Sequence, residues 1–352
     1  MEDHEEIITE ILETAESLEA AGLCLGLYGS ISRRIDSEFF CMAGGELNNR
    51  PFSADDVRTI RMKKLQGDAA LHAAVYRARA EINAVIMTRQ CYASAMGIVL
   101  PEGISAEDAN GNILKIYTVP FTIPGSDAQR SHVRRLAAKE RAANALVAIG
   151  GAVFSYGETL GEAAYAAQAL EDYAGLYLSE IGKMRVPGMI SEEFSSQRID
   201  GGIRYAQPDT PQRVRAIHER IYARRPDVLE IFHNRSEAAM TVSRICESLP
   251  AYYDDFVRIV GTSVTIPGNS KGDTSRGEVL VSRDINASFV YDDGAYCYGT
   301  AGVPAELTAI SVEKDCIAQI AAIRLNGAYR ISRRDLRRLK RTEQRSERSQ
   351  HG

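Results

Sequence analysis

Hydrophobic residues along the first half of the chain follow two alternating periods, that of a helix and that of a strand. In residues 4–20, apolar side chains recur three and four positions apart, which predicts an amphipathic helix with Ile7, Ile11 and Leu18 on its buried face. Short apolar runs predict strands over 38–42, 83–88, 113–118 and, as a pair, 145–156, and helical patterns predict helices over 68–79, from residue 90, over 127–143 and over 158–182. Helices interleaved with strands are typical of a layered α/β domain.

This pattern repeats later in the chain. The segment His72–Arg79 (HAAVYRAR) is matched by His218–Arg225 (HERIYARR), 146 residues further on. The strand that follows each helix recurs at the same separation along the chain. A segment with Pro-Gly recurs 143 residues further on, and a segment that ends in Tyr-Gly recurs 142 residues further on. Four matches in one order and at a slowly drifting distance predict a tandem duplication.

The two copies differ in extent. The first copy is predicted to occupy residues 1–183 and a partial second copy residues 210–328, followed by a basic tail over 329–352. Residues 184–209 contain Val-Pro-Gly, Gly-Gly and Gln-Pro-Asp, and these turn-forming sequences are interpreted as a linker. That interpretation leaves the second copy without a counterpart of residues 1–65.

Composition excludes several classes of protein, and charge is concentrated at the two ends. The chain of 352 residues is 45% hydrophobic and 25% charged, which excludes a disordered, collagen-like or disulfide-scaffold protein. Residues 1–20 carry eight acidic and no basic side chains, whereas residues 331–352 carry eight basic and three acidic ones. We expect the tail to be a solvated helix end or to dock on the acidic first helix of the same or a neighbouring subunit, in preference to nucleic acid.

Cysteine usage and hydropathy predict a cytoplasmic location. No run of apolar residues approaches the ~18 that a membrane span needs, and the acidic N-terminus lacks the basic and apolar regions of a secretory signal. The six cysteines have no regular spacing and are interpreted as small buried hydrophobic residues in a reducing compartment.

Five segments in fixed order resemble the class II aldolase/adducin-like family. They are Gly29–Ser32 (GSIS), Asp68–Tyr76 (DAALHAAVY), Val85–Arg89 (VIMTR), Ile123–Gly125 (IPG) and Gly150–Gly157 (GGAVFSYG). The resemblance covers nearly all of residues 5–182 and recurs more weakly over 211–327. It implies an α/β fold with a mainly antiparallel central sheet flanked by helices, here duplicated with a truncated second copy, and a homo-oligomer.

The metal site of that family is altered in the first copy. Active members are known to bind a divalent metal, commonly zinc, through three histidines; the metal polarises a carbonyl while a carboxylate transfers a proton. The positions matching those histidines are Met87, Arg89 and Gly151. A guanidinium has no lone pair for a metal and glycine has no side chain, so the first copy is predicted not to hold zinc as the family does.

In the second copy the matching positions are His233, Arg235 and Asp293. One interpretation is a rebuilt metal site of His233, Asp293 and a third group such as Asp292. The other is a polar strand end with an ion pair between Arg235 and Asp293. Two ligands without a third rarely hold zinc, which favours the ion pair and leaves the cofactor unknown.

The family's phosphate-binding segments are altered as well. Its Gly-Asn-Ile-Ser is here Gly-Ser-Ile-Ser, and its Thr-Pro-Ser-Gly turn is Met42–Gly45 (MAGG). Ser30, Ser32 and glycine amides could hold an oxyanion. A plain tight turn is the other interpretation, because glycine mostly marks backbone geometry.

Asp68 stands where the family keeps its acid/base glutamate, four residues before His72. A carboxylate there could move protons, or it could interact with the helix dipole. The second copy has Val214 at this place, so such proton transfer would belong to the first copy alone. His72 and His218 occur in both copies, which favours hydrogen-bonded, structural rings over catalytic ones.

Arginine replaces a ligand histidine in both copies, at Arg89 and Arg235. The guanidinium could serve as a fixed positive charge in place of the metal and clamp a carboxylate or phosphate. Alternatively, Arg89 pairs with Asp68 and Arg235 with Asp293, which fills two unused pockets.

Two classes of function are compatible with these residues. One is an aldolase-like carbon–carbon lyase, or a related epimerase, decarboxylase or dehydratase, acting on a small sugar, sugar phosphate or oxygenated acid. Its predicted catalytic residues are Asp68, Arg89, His233 and Asp293, and its predicted substrate-binding residues are Ser30, Ser32 and Arg235. The other is a non-catalytic, adducin-like scaffold or regulatory protein.

Overall fold

The computed structural model describes residues 4–23, 26–48, 50–107, 113–141, 143–180, 190–269, 275 and 277–350. The chain forms two compact units, residues 1–183 with 327–330 and residues 184–326 with 331–352. The described helices are not long and apolar enough to cross a membrane. Cys41, Cys91, Cys246, Cys297 and Cys316 are free thiols, buried except for Cys91, and Cys24 lies outside the described residues.

The first unit is a sheet with helices on both faces. Its helices are α1 (His4–Ala20), α2 (Gly67–Ala78), α3 (Cys91–Val99), α4 (Asp127–Lys139) and α5 (Leu160–Glu180). Its strands are β1 (Ser30–Arg34), β2 (Phe39–Gly44), β3 (Arg58–Arg61), β4 (Ala84–Thr88), β5 (Ile104–Glu107), β6 (Ile113–Val119), β7 (Ala145–Ala148) and β8 (Val153–Gly157).

These eight strands lie in the order β3-β2-β1-β4-β8-β7-β6-β5. All neighbouring pairs are antiparallel except β6 and β7, which confirms the mainly antiparallel sheet. Alternate residues of a strand pack into different cores, because successive side chains point to opposite faces of the sheet. Val85 and Met87 pack with α2 and α4, whereas Ala84 and Ile86 pack with α1 and α5.

The second unit has a smaller sheet of the same design. Its helices are α6 (Gln212–Arg224), α7 (Glu237–Ile245), α8 (Asp254–Ile259), α9 (Ala305–Arg324) and α10 (Arg333–Gln350). Its strands are β9 (Glu192–Ile199), β10 (Gly202–Tyr205), β11 (Glu230–Asn234), β12 (Ser248–Pro250), β13 (Ser263–Thr265), β14 (Ala287–Val290) and β15 (Gly294–Gly299).

The order of five strands repeats between the units. The second sheet runs β10-β9-β11-β15-β14, and these strands correspond to β2-β1-β4-β8-β7 of the first. The register repeats as well, since Ser32 pairs with Val85 in the first unit and Ser196 with Ile231 in the second. The tandem duplication is thereby confirmed within the folded chain.

The prediction of a linker over 184–209 is wrong for residues 192–205. Strands β9 and β10 form an antiparallel hairpin there, and β9 also pairs with β11. Gly201, at φ 85°, supplies the left-handed turn of that hairpin. The turn-forming residues therefore mark a hairpin, and the second copy does have a counterpart of β1 and β2.

The basic tail contributes α10, which contacts α8 within the second unit. Leu339 and Ile331 are buried, and Lys340 approaches Asp284 at 3.8 Å. Apolar side chains thus hold the start of the tail on its own unit. This contact differs from the predicted docking on the acidic first helix. That prediction considered only the charges of the tail, whereas the apolar side chain of Leu339 holds it on the second unit.

A buried glutamate joins two helices in each unit. In the first, the carboxylate of Glu171 on α5 accepts the backbone N–H groups of Cys91, Tyr92 and Ala93 at 2.9–3.0 Å. In the second, Glu313 on α9 accepts from Ser236, the N-cap of α7. Burial raises the pKa of each glutamate to about 7.

Because the pKa of each buried glutamate is raised, we expect the free energy of unfolding to decline as the pH rises. An acid with a raised pKa binds its proton more tightly in the folded chain, so its stabilisation is complete below about pH 4.5 and is lost as the pH rises to about 7. One such shift corresponds to about 3 kcal/mol. We expect Glu171→Gln to remove about that much of the decline measured by urea unfolding between pH 5 and pH 8. Exposed Glu180→Gln is the control, and an equally steep decline in Glu171→Gln would contradict the assignment.

Candidate functional site

The register of the first sheet brings the altered metal positions to one end of it. Met87 pairs with Ser30, and Thr88 pairs with Val153, so β4 ends where β1 and β8 begin. Arg89 directly follows β4, and Gly151 lies in the turn between β7 and β8. Met87 and Arg89 are only 2% and 4% exposed.

Asp68 lies at the same end of the sheet, in the first turn of α2. The turn after β2 passes close to it: a Cβ atom at Gly45, where φ is +88°, would lie 3.1 Å from Oδ2 of Asp68. Gly45 N–H donates to the carbonyl of Gly29 at 2.7 Å, which fixes this turn against the start of β1. The partly exposed carboxylate thus lies in the first turn of α2, beside the turn that follows β2.

Ser30 and Ser32 are both fully buried and belong to the interior of the unit. The hydroxyl of Ser30 lies 2.8 Å from Nε2 of His72, and that of Ser32 lies 2.7 Å from Nδ1. Burial lowers the pKa of His72 to about 3, so the ring is neutral. The oxyanion-binding role that the sequence suggested for these serines is therefore corrected: both hydroxyls hold the imidazole.

The second unit repeats this arrangement. The hydroxyl of Ser196 lies 2.7 Å from Nδ1 of His218 and 3.0 Å from the hydroxyl of Tyr222. Burial lowers the pKa of His218 to about 3 as well. Arg198, two residues after Ser196, donates to the carbonyl of Tyr222 at 2.9 Å.

The first unit has the same four groups in Ser32, His72, Tyr76 and Arg34, with Arg34 donating to the carbonyl of Tyr76 at 2.8 Å. Their recurrence in both units agrees with structural histidines. Sequence reasoning missed Ser196 and Arg198 because they fell in the supposed linker. The Ser-x-Arg spacing, shared with β1, was the available signal.

His233 occupies a closed position at the end of β11. The ring is fully buried and stacks on Tyr296 with centroids 4.1 Å apart. Its Nε2 lies 2.7 Å from the backbone carbonyl of Asp293, so this nitrogen is the donor and Nδ1 keeps the lone pair. Burial lowers the pKa of His233. With Nε2 held as a donor and Nδ1 buried, the imidazole does not present a lone pair to the sheet end.

The carboxylates near His233 are used by other side chains. Asp293 accepts from the hydroxyl of Tyr296 at 2.9 Å and lies 3.7 Å from the guanidinium of Arg235, which also pairs with Glu193 at 3.3 Å. Asp292 pairs with Arg244 at 2.5 Å and does not join them. This corresponds to the ion-pair interpretation of the second copy, with Arg235 between Glu193 and Asp293.

A metal site of the family's kind does not fit these residues. Within the described ranges, no three His, Cys, Asp or Glu side chains are placed so that they could hold a metal ion. In the first unit the three ligand positions are methionine, arginine and glycine, and in the second the imidazole and the carboxylates are engaged as above. The chemistry of the donor set, therefore, supplies no site for zinc at either sheet end.

Comparison with known proteins identifies one family. The family described as Class II Aldolase and Adducin N-terminal domain matches residues 9–178 and again 182–320. No curated protein matches the chain.

Solved structures are similar to this chain, and two of them serve as examples. YgbL of Klebsiella pneumoniae is 18% identical, with a TM-score of 0.44 over 58% of this chain and 95% of its own. L-Fuculose-1-phosphate aldolase of Thermus thermophilus is 20% identical, with a TM-score of 0.42 over 49% of this chain and 92% of its own.

Proposed function

Since this chain belongs to the class II aldolase and adducin N-terminal domain family, we propose that it is an aldolase-type enzyme whose active centre lies in the first unit. The reaction would be an aldol cleavage or a related enolisation of a small sugar, sugar phosphate or oxygenated acid. Asp68 would transfer the proton, and Arg89 would hold negative charge in place of the family's metal. The protein is further proposed to be a homo-oligomer.

The difference between the two sheet ends carries this proposal. In the first unit a partly exposed carboxylate, Asp68, lies on a glycine turn at the end of the sheet where Arg89 follows β4. In the second unit Val214 replaces the carboxylate and is buried in an apolar core. The arginine there, Arg235, lies between Glu193 and Asp293. Among the described residues, the first sheet end has a partly exposed carboxylate and an arginine, whereas the second has valine in place of that carboxylate.

The proposed chemistry assigns one step to each residue. The carboxylate of Asp68 accepts the proton of a substrate hydroxyl while the adjacent carbon–carbon bond breaks, and that electron pair moves to the carbonyl oxygen. The hydroxyl carbon leaves as an aldehyde or ketone, and the remaining enediolate takes the proton back on carbon from the carboxylic acid of Asp68, which restores the carboxylate. A fixed cation near the developing oxyanion lowers the barrier because its orientation requires no reorganisation during the reaction. Arg89, in a nearly dry position, is proposed to supply that charge.

Asp68→Asn is expected to lower the rate of this chemistry by at least 100-fold, because the amide cannot accept the proton. The measurement is solvent deuterium exchange next to the carbonyl, together with cleavage, over a panel of sugar phosphates and hydroxy acids. Glu193→Gln, the same change at the end of the second sheet, should keep the wild-type rate. Exchange that is equally fast in Asp68→Asn would reject the assignment of this residue.

A non-catalytic scaffold of the adducin kind is the second candidate function. It is favoured by the ion pairs that engage Arg235 and by the burial of Arg89, since charges without a substrate are stabilised by partners. A wild-type protein that exchanges no proton of any panel compound and is not stabilised by any of them would support the scaffold and reject the enzyme.

A further inference from the structure

Outside the candidate site, the first unit has a basic groove between α2 and α4. Its volume is about 790 Å³, and its lining includes Arg77 of α2 and Asp127, Arg130, Arg134, Arg135 and Lys139 of α4. Five of these six side chains are cations, in a chain whose net charge is −5. The groove is therefore a local excess of positive charge within the first unit, apart from the basic tail.

The sequence of α4 produces the groove through its helical period. The basic residues at positions 130, 134, 135 and 139 are spread over about half of the helix circumference, because successive residues are rotated by about 100°. Val133 and Ala137, on the remaining half, are buried in the core shared with α2. Ala74, Ser131 and Ala138 complete the lining, and their small side chains leave space between the arginines.

Three of these cations, Arg77, Arg134 and Arg135, have no acidic partner among the described residues. Arg130 pairs with Asp127, Lys139 pairs with Glu140 at 3.0 Å, and Arg77 donates to the carbonyl of Met62 at 2.6 Å. Arg134 and Arg135 are exposed, and no carboxylate of the described chain lies within 4.0 Å of either. Two adjacent guanidinium groups are thus available in a concave surface.

We propose that this groove binds a small molecule carrying at least two phosphate groups, at a place separate from Asp68 and Arg89. Guanidinium groups bind phosphate through paired hydrogen bonds, and the volume lies in the usual range of small-ligand sites. The basic face from Arg130 to Lys139 is about 13 Å long, more than one phosphate group can contact. The acidic net charge of the chain disfavours a nucleic acid, which binds extended basic surfaces.

Among the described residues, the second unit has no equivalent of α4. Between β13 and β14, where the first unit has α4, the described residues form no helix. Binding is therefore expected at one site per chain.

Isothermal titration calorimetry with inorganic tripolyphosphate tests the proposal. We expect one saturable site that prefers tripolyphosphate to orthophosphate by at least tenfold. The double substitution Arg134→Gln/Arg135→Gln should weaken tripolyphosphate binding at least tenfold. It should leave the melting temperature unchanged because both side chains are exposed. The matched control, Arg220→Gln/Arg224→Gln on α6, should bind like the wild type.

Three results would overturn the proposal. They are the absence of saturable binding to the wild type, undiminished binding by Arg134→Gln/Arg135→Gln, and tighter binding of a single-stranded oligonucleotide than of tripolyphosphate. Arg89→Met separates this site from the proposed active centre, because it should leave tripolyphosphate binding unchanged. A loss of binding in Arg89→Met would place the anion at the sheet end and reject the groove.

Discussion

Replacing Lys314 by methionine is expected to destabilise the second unit by about 3–5 kcal/mol, because it leaves a buried carboxylate without its cation. The Nζ atom of Lys314 lies 2.5 Å from Oδ2 of Asp255, and neither side chain is exposed. The same ammonium lies 4.7 Å from the ring centre of Tyr253. Asp315, also fully buried, adds a second acid nearby.

Urea unfolding followed by circular dichroism measures this effect. Combining Lys314→Met with Asp255→Asn should recover part of the loss, since the orphaned charge is then removed as well. Lys340→Met is the matched control: its partner Asp284 is 3.8 Å away and exposed, so the change should stay within about 0.5 kcal/mol. A loss below about 1 kcal/mol in Lys314→Met would show that the buried pair is not a stabilising contact.

Replacing Arg89 by methionine is expected to lower kcat/KM about 10²–10³-fold while leaving the free energy of unfolding nearly unchanged. Methionine keeps an unbranched, apolar stem in the buried position but removes the charged guanidinium. The effect on kcat should exceed that on KM if the charge acts on the transition state. Arg244→Met, which removes an arginine paired with Asp292 on the second unit, should keep wild-type kinetics.

Stability decides between the two roles considered for Arg89. An arginine whose main role is to neutralise a buried acid would cost several kcal/mol when removed, because that acid would lose its partner. A large fall in the urea midpoint of Arg89→Met would therefore favour the structural role and reject the clamp.

The sequence predicts some elements well and others poorly, for a physical reason. Helices α1 and α5 follow from long periodic patterns, and strand β4 follows from a continuous apolar run. Strands β1 and β9 carry little apolar pattern, because each buries a serine that bonds a histidine. A polar strand of this kind resembles a loop in sequence, which is why β9 was interpreted as part of a linker.

The positions of the candidate site residues were predictable from the sequence, but their hydrogen-bond partners were not. Arg89 directly follows β4 and Gly151 lies in the turn before β8, as the order of the motifs indicates. The position of Asp68 beside Gly45 depends on the packing of α2. Whether a hydroxyl binds a ligand or a neighbouring side chain depends on tertiary packing, so the role of Ser30 could not be read from its segment. For Asp293 the sequence left a metal site and an ion pair with Arg235 open, and the structure has the ion pair together with a hydrogen bond from Tyr296, which the sequence did not indicate.

Elemental analysis of the purified protein, combined with the exchange assay in the presence of a chelator, tests most directly whether a fixed arginine has replaced the metal. The account predicts less than about one-tenth of a transition-metal ion per chain, since the donor set offers no three-ligand site. It also predicts an unchanged exchange rate after chelation. Stoichiometric zinc, manganese or iron that disappears in His233→Ala, with activity lost on chelation and restored by the metal, would contradict it.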